Sequence, residues 1–205
     1  GGALSRCITP QYMDLQDQIK NWAIRGDNLS EIAKKLYFVL PTSVLDADVE
    51  LHLGIFQTIA NELGVGLSAV HIVGSAKTGF SLIHGTKFKP GESDLDVALV
   101  DKDLFLRMFE ISFKTSKGFT DLSVFQDKAT FDKLIAYIQR GILVPKLMPT
   151  CSEKARWDLL MGSLTAKSKP LFASVSAYVY ASEVFFETKQ IEAIRRFLAN
   201  KGIHK

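Results

Sequence analysis

Asp94 and Asp96 stand two residues apart at the head of "LDVALV", a run that is otherwise apolar. No other feature constrains the fold as much. In a strand successive side chains point to opposite faces, so the two carboxylates share one face while Leu95, Val97 and Leu99 take the other. Two like charges beside apolar surface repel each other and resist desolvation. Water, nearby cations or a bound metal must offset that cost.

A chain of 205 residues with 47% hydrophobic and 23% charged residues has enough apolar material for one domain with a substantial core, and its composition argues against disorder. The net charge of +3 is too small to indicate nucleic-acid binding by itself, so any basic surface has to be local. Two cysteines, Cys7 and Cys151, show neither metal-ligand spacing nor a disulfide framework, which favours a reducing, cytoplasmic compartment. No run of 18 apolar residues exists, and the N-terminus lacks the charged-then-apolar order of a signal peptide; no membrane partner is expected.

The first third reads as helical. Thr9-Pro10 suits the start of a helix reaching Ile24, and Ser30 suits the cap of a second, with Ile32, Ala33, Leu36 and Val39 at helical spacing before Pro41. A third spans about Asp46 to Leu63, stops at Gly64, and carries Leu53, Phe56, Ile59 and Ala60 on its apolar face. Then the pattern changes. "AVHIVG" (69–74) and "LDVALV" read as strands, followed by a helix capped by Asp101 or Asp103 and another over 130–139 ending at Gly141. "ILVPKLMP" suits a loop or sheet edge, "SEKARWDLLMGSL" a helix, "LFASVSAYVYAS" a strand, and Ser182 opens a helix to about Asn200. This order indicates an α+β fold: a small mixed β-sheet packed with helices (67–205), preceded by an N-terminal helical segment (1–66) packed on the same core.

"VGSAKTG" (73–79) and "SDLDV" (93–97) belong together. Gly74-Ser75 turns the chain after a strand, exposing backbone N–H groups with no side chain at Gly74 to obstruct a ligand. Ser75 adds a hydroxyl and Lys77 a cation, the set of groups that receives phosphate. Asp94 and Asp96 suit Mg²⁺ or Mn²⁺, which take one or two carboxylates plus the phosphate oxygens of a nucleotide, and Ser93 beside them joins Gly74, Ser75 and Lys77 as a nucleotide-binding candidate. A phosphate cradle beside a metal pair is the layout for in-line phosphoryl or nucleotidyl transfer.

A strand, Gly-Ser, a helical turn and then Asp-x-Asp on the next strand resembles the signature of the polymerase-beta-type nucleotidyltransferase superfamily. The wider stretch 71–105, with "GFSL" and a basic, proline-containing insert, is similar to bacterial nucleotidyltransferase-like proteins. The resemblance implies a nucleotidyltransferase-type sheet, with Gly74 and Ser75 on the triphosphate of ATP or another nucleoside triphosphate and Asp94 and Asp96 on the metal. It implies transfer of a nucleoside monophosphate to an acceptor hydroxyl, on a small molecule, a protein or an RNA end, with release of pyrophosphate.

Two departures from the family pattern stand out. Nineteen positions separate Ser75 from Asp94, and the excess carries Lys87 and Lys89 and suits a flap over phosphates or a nucleic-acid contact, with His84 an exposed residue of the same insert. Active members add a third carboxylate from a later strand. Here Ser174, Ser176, Tyr178 and Tyr180 form the polar face of the last strand without an acid, leaving Asp121, read as a strand residue, and Glu183 as candidates. Without a third acid the general base is missing. The alternative to the enzyme is therefore a catalytically weak or inactive nucleotide- or nucleic-acid-binding module of a bacterial toxin–antitoxin or defence system. Lys87, Lys89, Lys114 and Lys117 could form a basic rim, or plain solvated surface. Tyr178/Tyr180 and Phe185/Phe186 could stack a base, and His71 suits a core position better than a ligand.

Overall fold

The computed structural model describes residues 14–46 and 48–205. Its elements run α1 (Leu15–Ile24), α2 (Leu29–Lys34), α3 (Val49–Leu63), β1 (Val70–Val73), α4 (Gly74–Thr78), β2 (Leu95–Val100), α5 (Lys102–Thr115), α6 (Lys128–Ile138), β3 (Ile142–Leu143), α7 (Ser152–Ser168), β4 (Val175–Tyr180) and α8 (Glu183–Asn200). This is an α+β fold around a four-stranded mixed sheet of order β1-β2-β4-β3. β1 and β2 are antiparallel, β2 and β4 parallel, and β3 pairs antiparallel with β4 at the edge.

Local chemistry explains most boundaries. The Thr9-Pro10 start lies outside the described residues, and Asp14 caps α1 by accepting from Gln16 N. Asn28, not Ser30, caps α2: its side chain accepts from Glu31 N at 2.9 Å while Glu31 accepts from Asn28 N at 2.8 Å. This reciprocal pair satisfies two amide donors at once, which a serine two residues later in the first turn does not. The helix widens into a π-helical turn over Lys35–Val39 before Pro41 ends it. α3 starts at Asp48, whose carboxylate accepts from Leu51 N at 2.9 Å, and ends at Gly64 in the left-handed region. Its buried face is Ile55, Ile59, Ala60 and Leu63; Leu53, expected inside, is 42% exposed. Asp101 is the cap of α5, and "ILVP" supplies the two-residue edge strand β3.

Helices cover both faces of the sheet. Leu95, Val97 and Leu99 of β2 pack with Ile59 of α3, Leu104 of α5 and Trp157 of α7. Ala98, on the opposite face of the strand, packs with Ile19 of α1, Ile32 of α2 and Phe186 of α8. The N-terminal helices thus contribute to both hydrophobic clusters. Leu95, Val97 and Leu99 are all 0% exposed, and burial of each contributes ~1.5–3 kcal/mol. A one-residue slip of β2 would exchange this face for Asp94 and Asp96, so the register that buries the apolar side also fixes where the carboxylates stand. Among the described residues no helix is long and apolar enough to cross a membrane.

Candidate functional site

The β1–β2 ladder places Val73 opposite Asp96, so the chain leaves β1 directly beside the carboxylate. Gly74 follows with φ +66°, and a Cβ added there would sit 2.6 Å from Asp96 Oδ2. Two independent constraints therefore demand glycine: left-handed backbone and contact between main chain and carboxylate. The short helix α4 carries Ser75 and is closed by Gly79 at φ +81°.

On the other side of β2, Asp96 pairs with Ser176 of β4. Ser176 Oγ donates to Asp96 Oδ1 at 2.8 Å, and Ser174 Oγ donates to Asp94 Oδ1 at 2.7 Å. Asp94 is exposed and Asp96 half-buried. Burial raises the Asp96 carboxyl above the usual carboxylate range and the charge of Asp94 adds to the shift, while the Ser176 bond opposes it. No cation forms a salt bridge with either aspartate among the described residues. An anionic all-oxygen pair whose charge is left uncompensated suits a hard divalent cation such as Mg²⁺ or Mn²⁺. Two carboxylates are what the protein offers: no group of three or more His, Cys, Asp or Glu suited to a metal occurs among the described residues.

Neither candidate third carboxylate reaches this pair. Asp121 is not in a strand; it caps a 3₁₀ turn at Leu122–Val124 and is held by Ser123 at 2.6 Å and Lys117 at 3.0 Å. Its side chain competes with the backbone for local hydrogen bonds, which favours a turn over a strand. Glu183 opens α8 beyond the far end of β4, where Tyr180 pairs with Val100, whereas Asp96 pairs with Ser176 at the near end. On the neighbouring strand the positions facing the aspartates are serines.

Gly74, Ser75 and Asp96 open into a cleft of about 470 Å³, within the range of small-molecule sites. No family model, curated protein or solved structure matches this chain. Lys77 does not line the cleft: it is 6% exposed, donates from Nζ to the Leu40 carbonyl at 2.7 Å, and burial pushes its amine down to about 8. A buried amine needs an acceptor, and the backbone at Leu40 supplies one. Ser93 is committed as well; its Oγ accepts from Lys89 N at 3.0 Å and ties the insert to the head of β2. The expected rim divides likewise, with Lys89, Lys114 and Lys117 paired to Glu92, Glu110 and Asp121. His71 stacks on Phe186 at 5.3 Å, a packed position where burial lowers its pKa.

His84 of the insert does line the cleft, as do Tyr178 and Tyr180. The sequence reading missed Arg140 at the end of α6 and Lys189, Glu192 and Arg196 on α8. Glu192 binds Arg140 Nη2 at 2.5 and 2.6 Å and lies 3.6 Å from Lys189. The legible signal was spacing: 189, 192, 193 and 196 fall at i, i+3, i+4 and i+7, one face of a helix.

Proposed function

We propose that this chain is a nucleotidyltransferase of the polymerase-beta type. A nucleoside triphosphate binds with its phosphates at Gly74-Ser75, and Asp94 and Asp96 hold the divalent cation that accompanies it. One observation carries this reading: the phosphate-turn glycine lies against the carboxylate, where a Cβ would come within 2.6 Å of Asp96 Oδ2. In this reading phosphate cradle and cation ligands are one site. The cation, when bound, neutralises charge developing on the transferred phosphoryl group and aligns the attacking and leaving oxygens. The chain's own residues do the rest. Ser75 and the Gly74 backbone face the phosphates, and Ser174 and Ser176 orient one oxygen of each aspartate, leaving the other for the cation. Lys77 anchors α4 from beneath through Leu40. The acceptor hydroxyl attacks the α-phosphorus and gives up its proton to water, the bond to the bridging oxygen breaks, and pyrophosphate leaves.

The test is transfer of label from α-phosphate-labelled triphosphate to an acceptor pool with Mg²⁺ present. Wild type labels the pool and the Asp94→Ala/Asp96→Ala double variant does not; equal labelling by both refutes the mechanism. A second reading, a nucleotide-binding module with weak or absent turnover, is favoured by Ser176 standing where a third carboxylate would assist the attacking hydroxyl. It predicts Mg²⁺-dependent triphosphate binding without pyrophosphate release. In either reading the absence of a cysteine framework supports a cytoplasmic setting.

A further inference from the structure

We infer that Arg140, Lys189 and Arg196, with the hydroxyls of Tyr137 and Tyr178, form the acceptor subsite, and that the acceptor is a nucleotide carrying its own phosphate rather than an uncharged alcohol. The word acceptor rests on the transfer reading above; the anion-binding wall does not.

Position across the sheet gives the direction. From β1 to β3 the site runs Gly74 after β1, Asp96 on β2, Ser176 and Tyr178 on β4, and Arg140 just before β3. In-line displacement places the attacking oxygen opposite the leaving group. Pyrophosphate held at Gly74-Ser75 departs on the β1 side, so the acceptor enters from the β4–β3 side. Arg140 stands on that side, and α8 lies across the cleft over β2 and β4, bringing Lys189 and Arg196 to it. Glu192 clamps Arg140 and lies beside Lys189, holding both at the cleft, while Arg196, one turn further along the same helix face, has no salt-bridge partner among the described residues.

The tyrosines add a second, independent indication. Tyr37, Tyr137, Tyr178 and Tyr180 all line the cleft. None of their hydroxyls hydrogen-bonds to protein among the described residues, although Tyr37 and Tyr180 are only 6% and 4% exposed. Lining the cleft, these phenols are placed to donate to a ligand there. Burial raises Tyr178, and the charge of Asp96 adds to it, so the phenol remains an O–H donor at neutral pH. Guanidinium groups, an ammonium and phenol donors beside aromatic faces suit a phosphate and a base together.

The test uses the full chain without triphosphate or divalent cation, so it does not depend on turnover. Anisotropy of a 5′-labelled oligoribonucleotide and calorimetry with AMP and with adenosine provide three arms. Wild type is expected to bind the oligonucleotide, and AMP far more tightly than adenosine. Competition of AMP for the whole oligonucleotide signal assigns a mononucleotide acceptor; partial competition assigns a nucleic-acid end. Arg140→Gln/Lys189→Gln/Arg196→Gln is expected to weaken oligonucleotide binding more than tenfold and to flatten the log K against log salt slope by about two. Tyr178→Phe is expected to weaken AMP several-fold while leaving the slope and the melting temperature unchanged. Equal binding of AMP and adenosine, no binding of either phosphate ligand by wild type, or wild-type affinity and slope in the folded triple variant overturns the inference. Oligonucleotide binding by a protein that never transfers label keeps the wall and removes the transfer reading instead.

Discussion

Gly74→Ala tests the contact between the Gly74-Ser75 turn and the Asp96 carboxylate. At φ +66° an alanine costs ~1–2 kcal/mol whatever surrounds it. The new Cβ would then lie 2.6 Å from Asp96 Oδ2, 3.4 Å from its Cβ and 3.5 Å from its Cγ. The carboxylate has to swing aside. An off-rotamer side chain costs ~0.5–1.5 kcal/mol and loss of the Ser176 hydrogen bond about 1 more. The expected destabilisation is about 3 kcal/mol in urea titrations, of which about half depends on Asp96. A double-mutant cycle separates the two parts: in an Asp96→Ala background Gly74→Ala should cost only the backbone share, leaving a coupling energy near 1.5–2 kcal/mol. Displacing Asp96 by about 1 Å should also weaken Mg²⁺-dependent triphosphate binding by up to 100-fold. A loss below about 1 kcal/mol, or the same loss with and without the Asp96 carboxylate, refutes the reasoning.

Lys77→Met is expected to stabilise the protein at pH 7. The folded amine titrates near 8 against 10.5 for the ordinary lysine, so the unfolded chain binds the proton more tightly and the cost is complete below pH 8. That cost is about 3 kcal/mol, partly offset by the Leu40 bond, for a net gain of about 1–2 kcal/mol that shrinks as pH rises from 8 to 10.5; unchanged urea midpoints at both ends of that range would contradict it. Asp96→Asn should raise metal-free stability at pH 7, because a carboxyl whose folded pKa is raised favours the fold below its unfolded pKa and loses that contribution as pH rises through the folded one. The advantage of the asparagine should vanish below about pH 4, and an advantage that persists there removes the electrostatic explanation. Ser176→Asp places a third carboxylate beside Asp96, and with Mg²⁺ saturating it should raise transfer by about 10²-fold or more if a missing base limits the rate; an unchanged or lower rate favours the binding module.

What could be read from sequence was what is local. "VGS" and "SDLDV" each announce themselves within a few residues, and the adjacent antiparallel ladder then joins Val73 to Asp96. The alternation in "ASVSAYVYAS" separated the aliphatic face from the serine and tyrosine face, because a period of two reports orientation directly; that the tyrosine end of the second face is also buried, under α8, was not legible. Misreadings arose where two local options competed: Asn28 outcompeted Ser30 through its reciprocal bond with Glu31, and Asp121 chose a turn over a strand. Lys77 was misjudged because no local pattern shows that the π-helical turn leaves the Leu40 carbonyl beside its amine. Arg140, Lys189 and Arg196 come to the cleft from α6 and α8, and long-range assembly of a charged wall leaves no fixed spacing between the segments that build it.

Calorimetric titration of a non-hydrolysable nucleoside triphosphate, with Mg²⁺ and with chelator, tests most directly whether Gly74-Ser75 and the Asp94–Asp96 pair form one cation-dependent phosphate site. The expected result is binding by wild type with Mg²⁺, abolished by chelator and by Asp94→Ala/Asp96→Ala alike. Equal affinity with and without the cation, or binding that survives loss of both carboxylates, would contradict the account.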